Sequence, residues 1–325
     1  MMATFTRVLL LVQVAFAFLI GHLLHARFPD LPLYLCVATG VMGMLLLRAS
    51  ITANNFRLAT RFPAMPRAAS LGAAGALRMY WQELYATLVS SSWNMPFRRL
   101  ARAPTVLDAA MPVLLIHGYG CNSGYWHCLS GLLRQARRSF HAVDLEPVLG
   151  DIDGYLPQVG RAIETLCTAT GQPKVIVVAH SMGGLVARSW LRTHGDARVA
   201  ALITLGTPHA GTGLASYGLG KNSRQMCADS RSGINSCSAW LTCLQATTQT
   251  VPLVSIYSCH DNIVAPYTSA IVPGARNIGF DGIGHVALAS HPAVTACVLA
   301  EINKIQARFR RRCRSRKSLP ADRRS

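Results

Sequence analysis

The stretch Lys174-Val-Ile-Val-Val-Ala-His-Ser-Met-Gly-Gly-Leu185 decides how the rest of the chain is read. Val175 to Val178 is a β-branched run ending at Ala179, the composition of a buried strand. His180, Ser181, Met182 and two glycines follow, and Leu185-Val-Ala-Arg-Ser-Trp-Leu-Arg192 has the pattern of a helix. A strand, a very tight turn and an immediate helix put Ser181 on a sharp bend with its hydroxyl exposed. Small neighbours let the strand and helix backbones pass close together. The helix N-terminus favours developing negative charge beside the serine. A serine ahead of a helix is also a common N-cap. In addition, Ala179 stands where the usual Gly-x-Ser-x-Gly pattern has its first glycine. The assignment of Ser181 as a nucleophile therefore needs partners elsewhere in the chain.

From Met111 onward the pattern alternates strand and helix. Residues 112–116, 139–143, 198–205, 251–257 and 275–280 read as further strands. Residues 153–170 read as a helix stopped by Gly171 and Pro173. Such alternation predicts an α/β fold with a mostly parallel central sheet and helices on both faces. Ligands bind such sheets at the carboxyl ends of the strands.

The polar residues of interest stand at those ends. The first strand runs into His117-Gly-Tyr-Gly120. An elbow serine needs two backbone N–H donors aimed at the oxyanion, and Met182 and Tyr119 are placed to supply them. A dinucleotide loop would need a third glycine at position 123, which is Ser123. The fifth predicted strand leads to Ser258-Cys-His-Asp261, and the last to Asp281-Gly-Ile-Gly-His285. His180, His209, His260 and His291 compete for the role of base, and Asp229 and Asp281 for that of acid. Chain order, strand-end position and loop chemistry select Ser181, Asp261 and His285.

With these residues in view, the chain resembles the α/β-hydrolase family, and within it bacterial triacylglycerol lipases and esterases. The resemblance rests on Ile116-His-Gly-Tyr-Gly120, Ala179-His-Ser-Met-Gly-Gly184, Leu205-Gly-Thr-Pro-His209, the Asp261 loop and Gly284-His285. A bacillus-type lipase subgroup carries Ala-x-Ser-x-Gly, so Ala179 points to that subgroup. The resemblance spans residues 111–300 and leaves out what lies on either side. It implies Ser181 as nucleophile, Asp261 and His285 as its triad partners, and Tyr119 and Met182 as oxyanion donors. The expected activity is hydrolysis of a lipid or other acyl ester through an acyl-enzyme. Thioesterase or acyltransferase action at the same triad and a non-catalytic binding role are the alternatives. Some related lipases bind calcium or zinc, but no convincing ligand set is present, so neither a metal nor a cofactor is expected. Residues 211–250 form the longest insertion between core strands, at a position that often carries a cap over the site.

The flanks set the location. Hydrophobic residues make up 51% of the 325, the net charge is +18 and the mean hydropathy is +0.28. Residues 8–24 and 31–47 are apolar stretches separated by a short polar turn with Pro29, which predicts a transmembrane hairpin within residues 1–50. Arg48, Arg57, Arg61 and Arg67 follow the second stretch, so the positive-inside rule puts both ends in the cytoplasm. The expected site is the inner membrane of a bacterium. If only the first stretch inserts, the domain is exported and anchored. Residues 51–110 read as a helical connector, with Leu77, Tyr80, Trp81, Leu84, Tyr85 and Leu88 as one apolar stripe and no catalytic residue type. The hydrolase unit is expected over 111–303 and a basic, disordered tail over 304–325. Nine basic residues lie between Arg308 and Arg324, suited to anionic lipid, and no nucleic-acid recognition motif accompanies them. Oligomeric state cannot be read from the sequence. Cys227, Cys237 and Cys243 cluster closely enough for two of them to pair in an oxidising compartment.

Overall fold

A computed structural model describes residues 1–64, 70–108, 110–229 and 236–317. Two long helices, α1 (Met2–Arg27) and α2 (Leu33–Ala59), pack side by side as a hairpin. Each is long and apolar enough to cross a membrane, and most of each lies exposed. α3 (Ala73–Val89), a helical turn at Ser90–Asn94 and the single turn α4 (Met95–Phe97) lead into the core.

The core alternates as its sequence pattern predicts. It comprises β1 (Val113–Ile116), α5 (His127–Gln135), β2 (Phe140–Val143), α6 (Leu156–Thr170), β3 (Val175–His180), α7 (Met182–His194) and β4 (Val199–Leu205). The insertion then contributes α8 (Gly220–Met226), the short pair β5 (Ala228–Asp229) and β6 (Ser236–Cys237), and α9 (Ala239–Gln245). β7 (Leu253–Ser258), β8 (Arg276–Phe280) and α10 (Pro292–Lys317) complete the fold.

Six strands form one sheet in the order β2-β1-β3-β4-β7-β8, every pair parallel. A parallel sheet is covered on both faces, which explains why its strands read as continuous apolar runs. Alternate residues serve different cores. Leu114, Ile116, Val175 and Val177 pack with α6 and α7 on one side. Val113, Leu115, Ile176 and Val178 pack with α5 and α10 on the other. Each such side chain, taken fully out of water, contributes about 1.5–3 kcal/mol. Because all six strands run the same way, the ends of β1, β3, β7 and β8 open on one rim of the sheet.

Two expected boundaries differ. α2 continues past residue 50 to Ala59, because nothing between 50 and 59 breaks a helix once hydropathy falls. α10 runs through the segment expected to be disordered from 304, as far as Lys317. Arginine, alanine and glutamine are good helix formers, and Ile305 and Phe309 still pack against the sheet core while Gln306 donates to the Met111 carbonyl. Residues 318–325, and with them the end of the tail, lie outside the described residues, as does the Cys237 side chain. The apolar stripe of α3 is split. Met79, Leu84 and Ala86 face inward, whereas Leu77, Trp81 and Tyr85 are exposed.

Candidate active site

Ser181 makes the turn between β3 and α7 alone. Its backbone sits at φ 53 and ψ −128, an unusual conformation for a residue with a Cβ. Such strain persists only where the surroundings over-determine it. Here the Ser181 N–H donates to the Leu205 carbonyl at 2.8 Å, and its carbonyl accepts from Gly184 N–H at 3.0 Å and Thr207 Oγ1 at 2.9 Å. The neighbouring glycines are dictated by crowding. A side chain at Gly183 would begin 2.5 Å from the Ile116 carbonyl oxygen, and one at Gly118 would begin 2.8 Å from Ser181 Cβ. Ala179 escapes that constraint, because its methyl is buried in the core on the α6–α7 side.

Asp261 follows β7 and His285 follows β8. Asp261 Oδ2 lies 2.8 Å from His285 Nδ1, with both side chains buried. The other carboxylate oxygen accepts from the N–H groups of Ile263 at 2.8 Å and Val264 at 2.7 Å. Asn262 Oδ1 accepts the His285 backbone N–H at 2.9 Å. Consecutive side chains of one loop thus hold both the ring and the backbone of His285. Gly206, next to the Leu205 that anchors Ser181, lies against Asp261 Oδ2 and His285 Nδ1. The Asp261–His285 pair therefore lies against the residue that follows the backbone anchor of Ser181, on the same rim. The acid–base hydrogen bond is formed, whereas Ser181 Oγ makes none to the imidazole among the described residues. Nucleophile hydrogen bonds are often long before substrate binds.

Burial alone would lower the His285 pKa. The Asp261 charge and hydrogen bond, with a smaller contribution from Glu83, outweigh it and hold the pKa above the ordinary value. The His180 ring lies beside this one, tilted by 45° with centroids 4.6 Å apart, and its Nε2 is 3.2 Å from the His285 carbonyl oxygen. Burial, and then the charge of His285, push the His180 pKa well below its ordinary value, so it stays neutral. The other candidates have different partners. His260 faces Asp281 at 3.6 Å and accepts the Gly282 N–H. His209 is enclosed between Arg188 and Thr204. The Asp229 side chain lies outside the described residues.

Tyr119 follows Gly118, which lies against Ser181 Cβ, and Met182 is the first residue of α7. Among the described residues neither N–H has an acceptor. The Tyr119 hydroxyl donates to the Leu219 carbonyl at 2.8 Å and accepts the Leu219 N–H at 3.0 Å, tying the insertion to the oxyanion loop. α9 belongs to the core, with Leu241 and Leu244 fully buried and Trp240 Nε1 donating to Asp153 at 2.8 Å. Among the described residues no group of three or more His, Cys, Asp or Glu is placed to hold a metal ion.

Two residues that hold the His285 loop, Asn262 and Glu83, had no role assigned from sequence. Glu83 of α3 is buried, and its carboxylate accepts the N–H groups of Val286 at 3.0 Å and Ala287 at 2.9 Å, immediately after His285. Burial raises its pKa, and the two N–H groups and the His285 charge offset part of that rise. The available signal was its isolation, because Glu83 is the sole acidic residue between Asp30 and Asp108.

Residues 111–226 match the family model for the alpha/beta hydrolase fold. A triacylglycerol lipase of Pseudarthrobacter phenanthrenivorans is 28% identical over 123 residues, which is 35% of this chain and 38% of the relative. A pimeloyl-[acyl-carrier protein] methyl ester esterase of Salmonella heidelberg is 32% identical over 93 residues, 29% of this chain and 35% of the relative. The chain thus spans little more than a third of the length of these curated relatives. Among solved structures, mature Bacillus licheniformis lipase BlEst2 superposes with a TM-score of 0.50 at 17% identity, covering 60% of this chain and 92% of that one. Sheet order, the match over residues 111–226 and the structural likeness agree on the alpha/beta hydrolase fold.

Proposed function

We propose that the protein is a serine ester hydrolase that cleaves lipid or other acyl esters at Ser181. The observation that carries this is the buried 2.8 Å pair of His285 Nδ1 and Asp261 Oδ2 beside a serine on a strained turn. In the proposed reaction Ser181 Oγ bonds to the ester carbonyl carbon while its proton passes to His285 Nε2. The carbonyl electron pair moves onto oxygen, where the Tyr119 and Met182 N–H groups stabilise it. Collapse breaks the ester C–O bond, and the leaving alcohol takes the proton from the imidazolium. Water, deprotonated by the same imidazole, then releases the acid from the acyl-enzyme. Asp261 stays ionised throughout, fixing the tautomer and balancing the imidazolium. An apolar groove of about 650 Å³ next to Asp261, lined by Phe56, Phe62, Met79, Tyr80 and Tyr267, suits a substrate with hydrocarbon chains.

The hairpin supports attachment to a membrane, with α1 and α2 as its spans and both ends on the cytoplasmic side. Anchoring would keep the rim near its lipid esters. A fluorophosphonate probe tests the chemistry. It should label Ser181, and Ser181→Ala should abolish both labelling and ester turnover. Labelling elsewhere, or turnover by the alanine variant equal to that of the parent, would overturn the proposal.

A further inference from the structure

We propose that Glu83 is a positioning residue for His285, so that the connector helix α3 sets the placement of the base. This rests on Ser181, Asp261 and His285 being the catalytic set.

The bonds run from one end of the chain to the other, since Val286 and Ala287 lie 203 and 204 residues beyond Glu83. These two residues open a 3-10 turn over Val286–Ala289, and the first N–H groups of such a turn have no partner within it. One carboxylate satisfies both. The loop also lies along that carboxylate on its other side. A side chain at Gly284 would begin 2.4 Å from Glu83 Oε2, so glycine there is required by contact with Glu83. His285 is therefore held from three directions, by Asp261 on its ring, Asn262 on its own N–H and Glu83 on the two residues that follow.

Packing alone does not explain an acid at this position. The inner face of α3 is otherwise Met79, Leu84 and Ala86, and a buried carboxylate is costly unless fully hydrogen-bonded. Its charge also faces the imidazole. The titratable groups around His285 are Asp261, Glu83 and His180, with Tyr125 and Cys121 behind them. Burial holds Tyr125 protonated and pushes the Cys121 thiol up to about 12, while His180 is neutral. The charges acting on the imidazole are thus the two carboxylates, and both favour its protonated form.

The test uses the full-length protein in detergent, a water-soluble short-chain p-nitrophenyl ester, and the variants Glu83→Gln, Glu83→Asp and Ser181→Ala. Glu83→Gln should lower kcat by about 10- to 100-fold with KM little changed, the scale expected when a reacting group is misplaced. With one negative charge removed, the ascending limb of its kcat/KM profile should move to lower pH. Glu83→Asp keeps the charge on a shorter arm, so kcat should fall while the limb stays near the parent position. Parent kcat and an unshifted limb in Glu83→Gln overturn the proposal if Ser181→Ala is inactive. So does a kcat loss that comes with an unshifted limb, or a variant that no longer unfolds cooperatively, because either makes the role of Glu83 purely structural. Turnover by Ser181→Ala would instead remove the catalytic set on which the proposal rests.

Discussion

For the proposed reaction His285 must be neutral to take a proton from Ser181, and its pKa lies above the ordinary histidine value because Asp261 outweighs burial. Activity should therefore rise as pH climbs through that raised pKa and should be lost below it, where the imidazolium cannot act as base. Asp261→Asn removes the main favourable charge. Its kcat should fall by about 10³- to 10⁴-fold, and the ascending limb should shift to lower pH, both measurable in one set of pH–rate profiles. A variant with a parent-like kcat would rule out Asp261 as the partner of the base. The strand ends that carry Ser181, Asp261 and His285 were legible in sequence, because strand ends show in apolar periodicity. Asn262 and Glu83 were not, because their hydrogen bonds reach backbone groups far along the chain.

At the scale of elements, strand and helix positions followed from local pattern. Gly171 ends α6 in the left-handed conformation, as a glycine after a periodic helix should. The insertion was less readable. Its length suggested a cap, yet α9 buries Leu241 and Leu244 in the core, and the part reaching the site is the segment around Leu219. Two hydrogen bonds to the Tyr119 hydroxyl latch that segment. Tyr119→Phe removes both, each worth about 1 kcal/mol. Tryptic cleavage at Lys221 and Arg224 should then accelerate about fivefold or more, and the ratio of long- to short-chain ester turnover should change. Unchanged cleavage would show that the latch does not hold the segment closed. α3 carries the opposite lesson. Its periodicity suggested one apolar stripe, but Trp81 and Tyr85 face out and an acid faces in.

For the whole molecule, the hairpin and the hydrolase core meet at α3 and the turn after it. Arg7 of α1 donates to the Pro96 carbonyl at 2.9 Å, and Arg48 of α2 donates to Ser92 at 2.6 Å. Both ends of the hairpin therefore lie on the side of the core, as a two-span anchor requires. A reporter fused after Lys317 should read as cytoplasmic in intact cells, and a periplasmic signal would overturn the two-span topology. The sequence by itself determined the strand–helix rhythm, the tight turn at Ser181 and two long apolar helices. Each of these is a local pattern, written in periodicity and in turn residues. Only the tertiary structure decided which histidine meets which carboxylate, where the insertion packs, and that a glutamate in the connector lies beneath the His285 loop. Those facts depend on contacts between segments up to about 200 residues apart, and no local propensity encodes such a contact.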